Sequence, residues 1–101
     1  MGIEYEARFC PTVSLETIKA LKDAIILRSC CHVVREEGDE IGLHVAMKAA
    51  MPLEEQVTLL LKPDRFYVVF NSAHRTDRMA FLASCQEVFK DLKLQSILEE
   101  L

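Results

Sequence analysis

Polar and apolar positions alternate with period two in three parts of the chain, and with period near 3.6 in two others. The clearest two-fold stretch is Val57–Asn71, VTLLLKPDRFYVVFN, which reads as two strands joined at Lys62-Pro63-Asp64-Arg65. Proline suits the second position of a type I turn, and aspartate is a common turn former. With Lys62 opposite Arg65, Leu61 meets Phe66, Leu59 meets Val68 and Val57 meets Phe70, giving one fully apolar face. The other face sets Leu60 beside Tyr67 and Thr58 beside Val69, more apolar than a solvated sheet surface usually is. A sheet apolar on both sides needs cover on both sides, from its own helices or from a partner.

The remaining elements follow from the same two periods. In Gly2–Phe9, Ile3, Tyr5, Ala7 and Phe9 point one way and Glu4, Glu6 and Arg8 the other, which predicts a strand. Ser14 is placed to cap a helix over Leu15–Leu27, whose stripe is Leu15, Ile18, Leu21, Ala24 and Ile25. Cys31–Glu37 and Glu40–Lys48 predict a second hairpin around Gly38-Asp39, with glycine at the first central position of a type II′ turn. That register pairs Arg35 with Gly42, Val34 with Leu43, Val33 with His44 and His32 with Val45. Ala49–Glu55 crosses over, with Pro52 as a breaker. A second helix is expected to start at Thr76 as N-cap, with a stripe of Leu82, Cys85, Phe89 and Leu92 flanked by Met79, Phe81 and Val88. For Leu94–Leu101 the helical spacing of Leu94, Ile97, Leu98 and Leu101 favours a helical continuation over a short closing strand.

The predicted fold class is therefore α+β: a two-layer sandwich of about five antiparallel strands with two helices on one face, in the order β-α-β-β-β-β-α. Its length of 101 residues fits a single domain over 1–101. The element order resembles that of many small α+β modules, including ferredoxin-like folds and some immunity proteins. Such folds host unrelated functions, so the resemblance implies no site.

Composition and charge exclude several classes. The formal net charge of −4 disfavours attraction to phosphate backbones, so no nucleic-acid partner is expected. No apolar run is long enough to span a bilayer, and the N-terminus lacks the apolar core of a signal peptide; no membrane role and a cytoplasmic location are expected. The four cysteines are expected to be reduced thiols.

Candidate chemistry is sparse. Cys30-Cys31-His32 together with His44 supplies the ligand types that zinc favours. Strict alternation, however, sets Cys31 and His32 on opposite faces and places His44 with Cys31 and Val33, so without a bulge the set does not converge. No metal or other cofactor is expected. The loop leading into the second helix carries Ser72, His74, Arg75 and Arg78 near free helix amides, which marks a candidate anion-binding or polar loop. Acidic residues crowd the first hairpin tip at Glu36, Glu37, Asp39 and Glu40, an exposed position ill-suited to a tuned acid–base pair. No nucleophile, base and orienting group can be assembled by spacing, so no catalytic residue is named and a non-enzymatic protein is expected.

The functional expectation is a small interaction module that self-associates, as a homodimer, through an apolar sheet face comprising Leu60, Tyr67, Val69, Val33 and His44. Two alternatives are open. One is a small apolar ligand held between helices and sheet, with Met47, Met51, Met79 and Phe81 as adaptable lining. The other is an acidic immunity- or inhibitor-type protein that binds a basic partner.

Overall fold

The computed structural model describes residues 2–45 and 54–101. The elements are β1 (Ile3–Arg8), α1 (Leu15–Ser29), β2 (His32–Glu37), β3 (Glu40–His44), β4 (Val57–Lys62), β5 (Arg65–Phe70), α2 (Arg75–Asp91) and β6 (Glu99–Glu100). They form a sheet of six strands in the order β2-β3-β4-β5-β1-β6, antiparallel throughout. The expected α+β sandwich holds, with one strand more than expected.

The β4–β5 hairpin has the register that its apolar pattern dictates. Lys62 faces Arg65, Leu61 Phe66, Leu60 Tyr67, Leu59 Val68, Thr58 Val69 and Val57 Phe70. Its turn is tied to the β1–α1 connection: Phe9 N donates to Asp64 O (2.8 Å) and Val13 N to Pro63 O (2.9 Å). β1 then pairs with β5, so Ala7 lies opposite Phe66 and Tyr5 opposite Val68.

One face of this sheet is the core. Leu43, Val57, Leu59, Phe66 and Val68 are fully buried there with Leu21 and Ile25 of α1 and Cys85 and Phe89 of α2. Phe89 stands edge-on to both Phe66 (centroids 5.2 Å) and Phe9 (5.9 Å), the arrangement aromatic quadrupoles prefer. The buried stripe of α2 is Phe81, Cys85, Val88 and Phe89, rotated from the expected one, which leaves Leu82 half-buried. Leu15 of α1, expected in the core stripe, is 76% exposed. It stands in the first turn and lines a groove with Ile18, Gly38 and Leu61.

α1 starts as expected, with the Ser14 Oγ accepting from Thr17 N at 3.1 Å. α2 starts one residue beyond His74, which has extended backbone and no side-chain capping bond; the expected cap at Thr76 is instead inside the helix. Both helices end on a non-glycine residue in left-handed conformation, Cys30 (φ 54°) and Lys93 (φ 59°). At α2 the stop is a Schellman motif: Lys93 N donates to Lys90 O (3.0 Å) and Leu94 N to Phe89 O (2.8 Å).

That motif ends the helical continuation expected over Leu94–Leu101. The tail turns back, Gln86 Nε2 donates to Ser96 O (2.8 Å), Leu98 N donates to Gln86 Oε1 (3.2 Å), and Ser96 Oγ donates to Arg8 O (2.8 Å). The chain is thereby laid along β1, where Glu99 and Glu100 pair with Glu6 and Tyr5. The closing strand is the outcome.

The β2–β3 hairpin departs from expectation in one step. Near its turn the register is as read, with Glu37 opposite Glu40, Glu36 opposite Ile41 and Arg35 opposite Gly42. Gly38 has φ +58° and Asp39 has no positive φ, as a type II′ turn requires. Between Val33 and Arg35 the register shifts, so Val33 faces Leu43 and His32 faces His44. This bulge moves each residue before it to the opposite face from the one strict alternation assigns. The continuation of β3 to Lys48, the placement of Ala46 and Met47, and the crossover with Pro52 lie outside the described residues.

Candidate functional site

The outer face of the sheet, opposite α1 and α2, is the surface that the sequence marks for interaction. Its position is set by pleating: Leu59, Leu61, Phe66 and Val68 turn inward, so Leu60, Tyr67 and Val69 turn outward. All three are half-buried. Of the other two residues assigned to this face, Val33 lies opposite the core residue Leu43, on the helix side, at 43% exposure. The bulge is the reason. His44 does face outward but is only 5% exposed. The candidate face thus contracts to Leu60, Tyr67 and Val69.

Charged side chains frame these three. On one flank Arg35 crosses the sheet. Its Nε donates to Glu55 Oε1 (2.8 Å), and its Nη2 donates to Glu55 Oε2 (3.2 Å) and Glu40 Oε2 (2.8 Å). Thr58 Oγ1 donates to Glu55 Oε2, and Asn71 Nδ2 donates to Thr58 Oγ1 (3.1 Å). The Arg35 and Thr58 bonds hold the Glu55 carboxyl below the usual carboxylate range, and the carboxylates hold Arg35 above its usual value. The arrangement needs Gly42: a Cβ there would stand 2.3 Å from Glu55 Oε1. Nothing in the sequence flags a residue at 55 as the partner of one at 35, because the contact runs across β3 and over a glycine.

On the other flank Glu4 and Glu6 of β1 face outward, and at the hairpin end Lys62, Arg65 and Arg8 form a cationic row across β4, β5 and β1. Glu6 serves two of these cations, at 3.1 Å from Arg8 Nε and 3.6 Å from Arg65 Nη1. The acidic tip of the first hairpin is compensated within the chain, Glu36 by Lys22 (2.7 Å) and Glu37 and Glu40 by Arg35.

The candidate anion loop leads into α2 at Arg75. Ser72, His74 and Arg75 are exposed. Arg78 folds back on its own turn, its Nη1 donating to Ala73 O at 3.2 Å.

The cysteines are all unpaired. Cys85 is buried in the core and its thiol is pushed far up by that burial; burial raises Cys31 too. Neither is a poised nucleophile. Of the residues proposed as pocket lining, Met47 and Met51 lie outside the described residues. Phe81 lines a groove of about 370 Å³ between the end of α1 and the start of α2, with Cys30, Val45, Ala80 and Ser84. Met79 is 43% exposed. Among the described residues no helix is long and apolar enough to cross a membrane. No family model, curated protein or solved structure matches this chain.

Proposed function

We propose that the protein is a non-enzymatic interaction module that pairs with a second copy of itself through the outer face of its sheet. The observation that carries this reading is the cluster of Leu60, Tyr67 and Val69, half-buried at the centre of a face opposite both helices. An aromatic residue among aliphatics, ringed by polar groups, is the usual composition of a protein–protein contact. The charge layout supports a self-complementary pairing. Among the described residues the cationic row Lys62, Arg65 and Arg8 has one carboxylate partner, Glu6, and Glu4 on the same face makes no ion pair. A two-fold related copy brings its own acidic flank to that row.

Sedimentation equilibrium of the wild type beside a Leu60→Lys/Val69→Lys variant tests this. The expected result is a concentration-dependent dimer for the wild type and a monomer for the variant, with unchanged circular dichroism and cooperative melting for both. A wild type that stays monomeric at millimolar concentration overturns the reading. So does a folded variant that dimerises as well as the wild type.

A further inference from the structure

We infer that His32 and His44 form a two-imidazole seat for a borderline transition-metal cation of the Zn²⁺, Cu²⁺ or Ni²⁺ class. The inference is independent of self-association and starts from the bulge in β2. Strict alternation sets His32 and His44 on opposite faces. The register shift between Val33 and Arg35 sets them directly opposite one another on neighbouring strands, where side chains share a face. Their ring centroids lie 6.5 Å apart, with the planes tilted by 44°. A metal bound by one nitrogen of each ring at about 2.0–2.1 Å sets the centroids roughly 5–6.5 Å apart, depending on the angle at the metal. The observed pair is at the wide end of that range, and the exposed ring of His32 has the freedom to close it.

The hydrogen bonding of His44 supplies the second, separate observation. Its Nδ1 lies 2.9 Å from Glu54 O. A carbonyl oxygen only accepts, so Nδ1 carries the hydrogen and, in the neutral ring, Nε2 carries the lone pair. That Nε2 is buried and, among the described residues, has no hydrogen-bond partner. One ring nitrogen donating to a backbone carbonyl while the other stands free is how protein scaffolds orient a ligating histidine. Two residues beyond that carbonyl the chain is tied back to β3, where Gln56 N donates to Leu43 O at 2.9 Å and Gln56 Oε1 accepts from Val45 N at 2.9 Å. His44 is thus the fixed ligand and His32 the mobile one.

The chemistry selects the cation. Imidazole suits zinc, copper and nickel, whereas magnesium and calcium require oxygen donors. Among the described residues no third histidine, cysteine or carboxylate joins the pair. The remaining coordination positions fall to water or to a ligand from outside, as in an open site.

The test is a titration of the intact protein with Zn²⁺, and with Mg²⁺ as control, read by calorimetry, for the wild type, His32→Ala and Cys30→Ser. The side chain of His32 is exposed, so its removal leaves the core intact; the exposed thiol of Cys30 is the competing soft ligand. The expected result is one Zn²⁺ per wild-type chain, no response to Mg²⁺, at least a tenfold loss of affinity in His32→Ala and full affinity in Cys30→Ser. Long-range ¹H–¹⁵N spectra read His44 without mutating a buried residue. The expected signature is a protonated Nδ1 in the free protein and a Zn²⁺-induced shift at Nε2. The inference is overturned by equal Zn²⁺ affinity in wild type and His32→Ala, by loss confined to Cys30→Ser, by no binding at millimolar Zn²⁺, or by an unmoved Nε2 resonance.

Discussion

Replacing Gly42 by alanine isolates the network that covers one flank of the outer face. A Cβ at this position would stand 2.3 Å from Glu55 Oε1, 2.4 Å from its Cδ and 2.8 Å from its Cγ. Ordinary van der Waals contact begins near 3.4 Å, so the carboxylate must retreat by about 1 Å. Arg35 Nε to Glu55 Oε1, now 2.8 Å, then passes the limit of a useful hydrogen bond. The Thr58 bond to the same carboxylate is lost with it, a net contribution of roughly 0.5–1.5 kcal/mol. The ion pair is about a third exposed on the arginine side and a quarter on the glutamate side, so solvent screening keeps its share modest. Against this, alanine in place of glycine lowers the entropy of the unfolded chain, a gain of about 0.4–1 kcal/mol. The net expectation is a loss of about 1 kcal/mol, or a fall in Tm of about 4–8 °C for a domain of this size.

The sign of the effect in a second background decides the matter. In Glu55→Ala the obstructing side chain is gone, so adding Gly42→Ala is expected to stabilise, by about 0.4–1 kcal/mol. Urea denaturation of the four proteins measures the cycle. Equal destabilisation by Gly42→Ala in both backgrounds refutes the argument, since the cost then lies in the backbone or in packing elsewhere. Stabilisation in both refutes it as well.

Two further outcomes follow from the placement of single groups. In native protein, Cys10 and Cys30 are exposed while Cys31 is half-buried and Cys85 fully buried. A thiol-reactive disulfide reagent is expected to label the first two quickly, Cys31 slowly and Cys85 only after denaturant is added; mass spectrometry that finds Cys85 labelled early counts against the buried placement. Glu55 has a carboxyl held below its ordinary value of 4.5 by Arg35 and Thr58. A depressed folded-state value gives stability that is complete above about pH 4.5 and is lost as pH falls through the folded-state value. Wild type is therefore expected to lose more stability between pH 5 and pH 3 than Glu55→Gln, and parallel pH profiles for the two exclude Glu55 as a source of acid sensitivity.

The parts of this fold that the sequence reveals are those set by long, regular apolar patterns. The β4–β5 register could be read residue by residue because each inward position is large and apolar and the Pro63-Asp64 turn fixes the offset. The existence of the two helices and their common side follow from apolar spacing, although the buried stripe of α2 is rotated from the expected one and Leu15 lies outside the core. What escaped are features set by one residue or by distant partners. The bulge in β2 leaves no mark in HVVREE, where two adjacent valines suit either face, and with it the placement of Val33 and His32 reversed. The end of α2 escaped because a lysine, Lys93, holds the left-handed position usually given to glycine. The closing strand is two residues long and depends on Gln86 and Ser96, both unremarkable in sequence. Of the candidate interaction face, the outward turn of Leu60, Tyr67 and Val69 was legible; the Arg35–Glu55 bracket was not, since charge partners twenty positions apart share no pattern.

The bulge in β2 also bears on how the borders of the sheet meet other chains. An edge strand with an unbroken row of amides and carbonyls is a template on which a foreign strand can grow. Here one border strand is broken by its extra residue and carries Arg35, Glu36 and Glu37 beyond it, and the opposite border, β6, is a mere two residues long. Among the described residues neither border strand presents a long unbroken edge, which disfavours growth of the sheet by a second backbone and favours contact between molecules through surfaces of side chains.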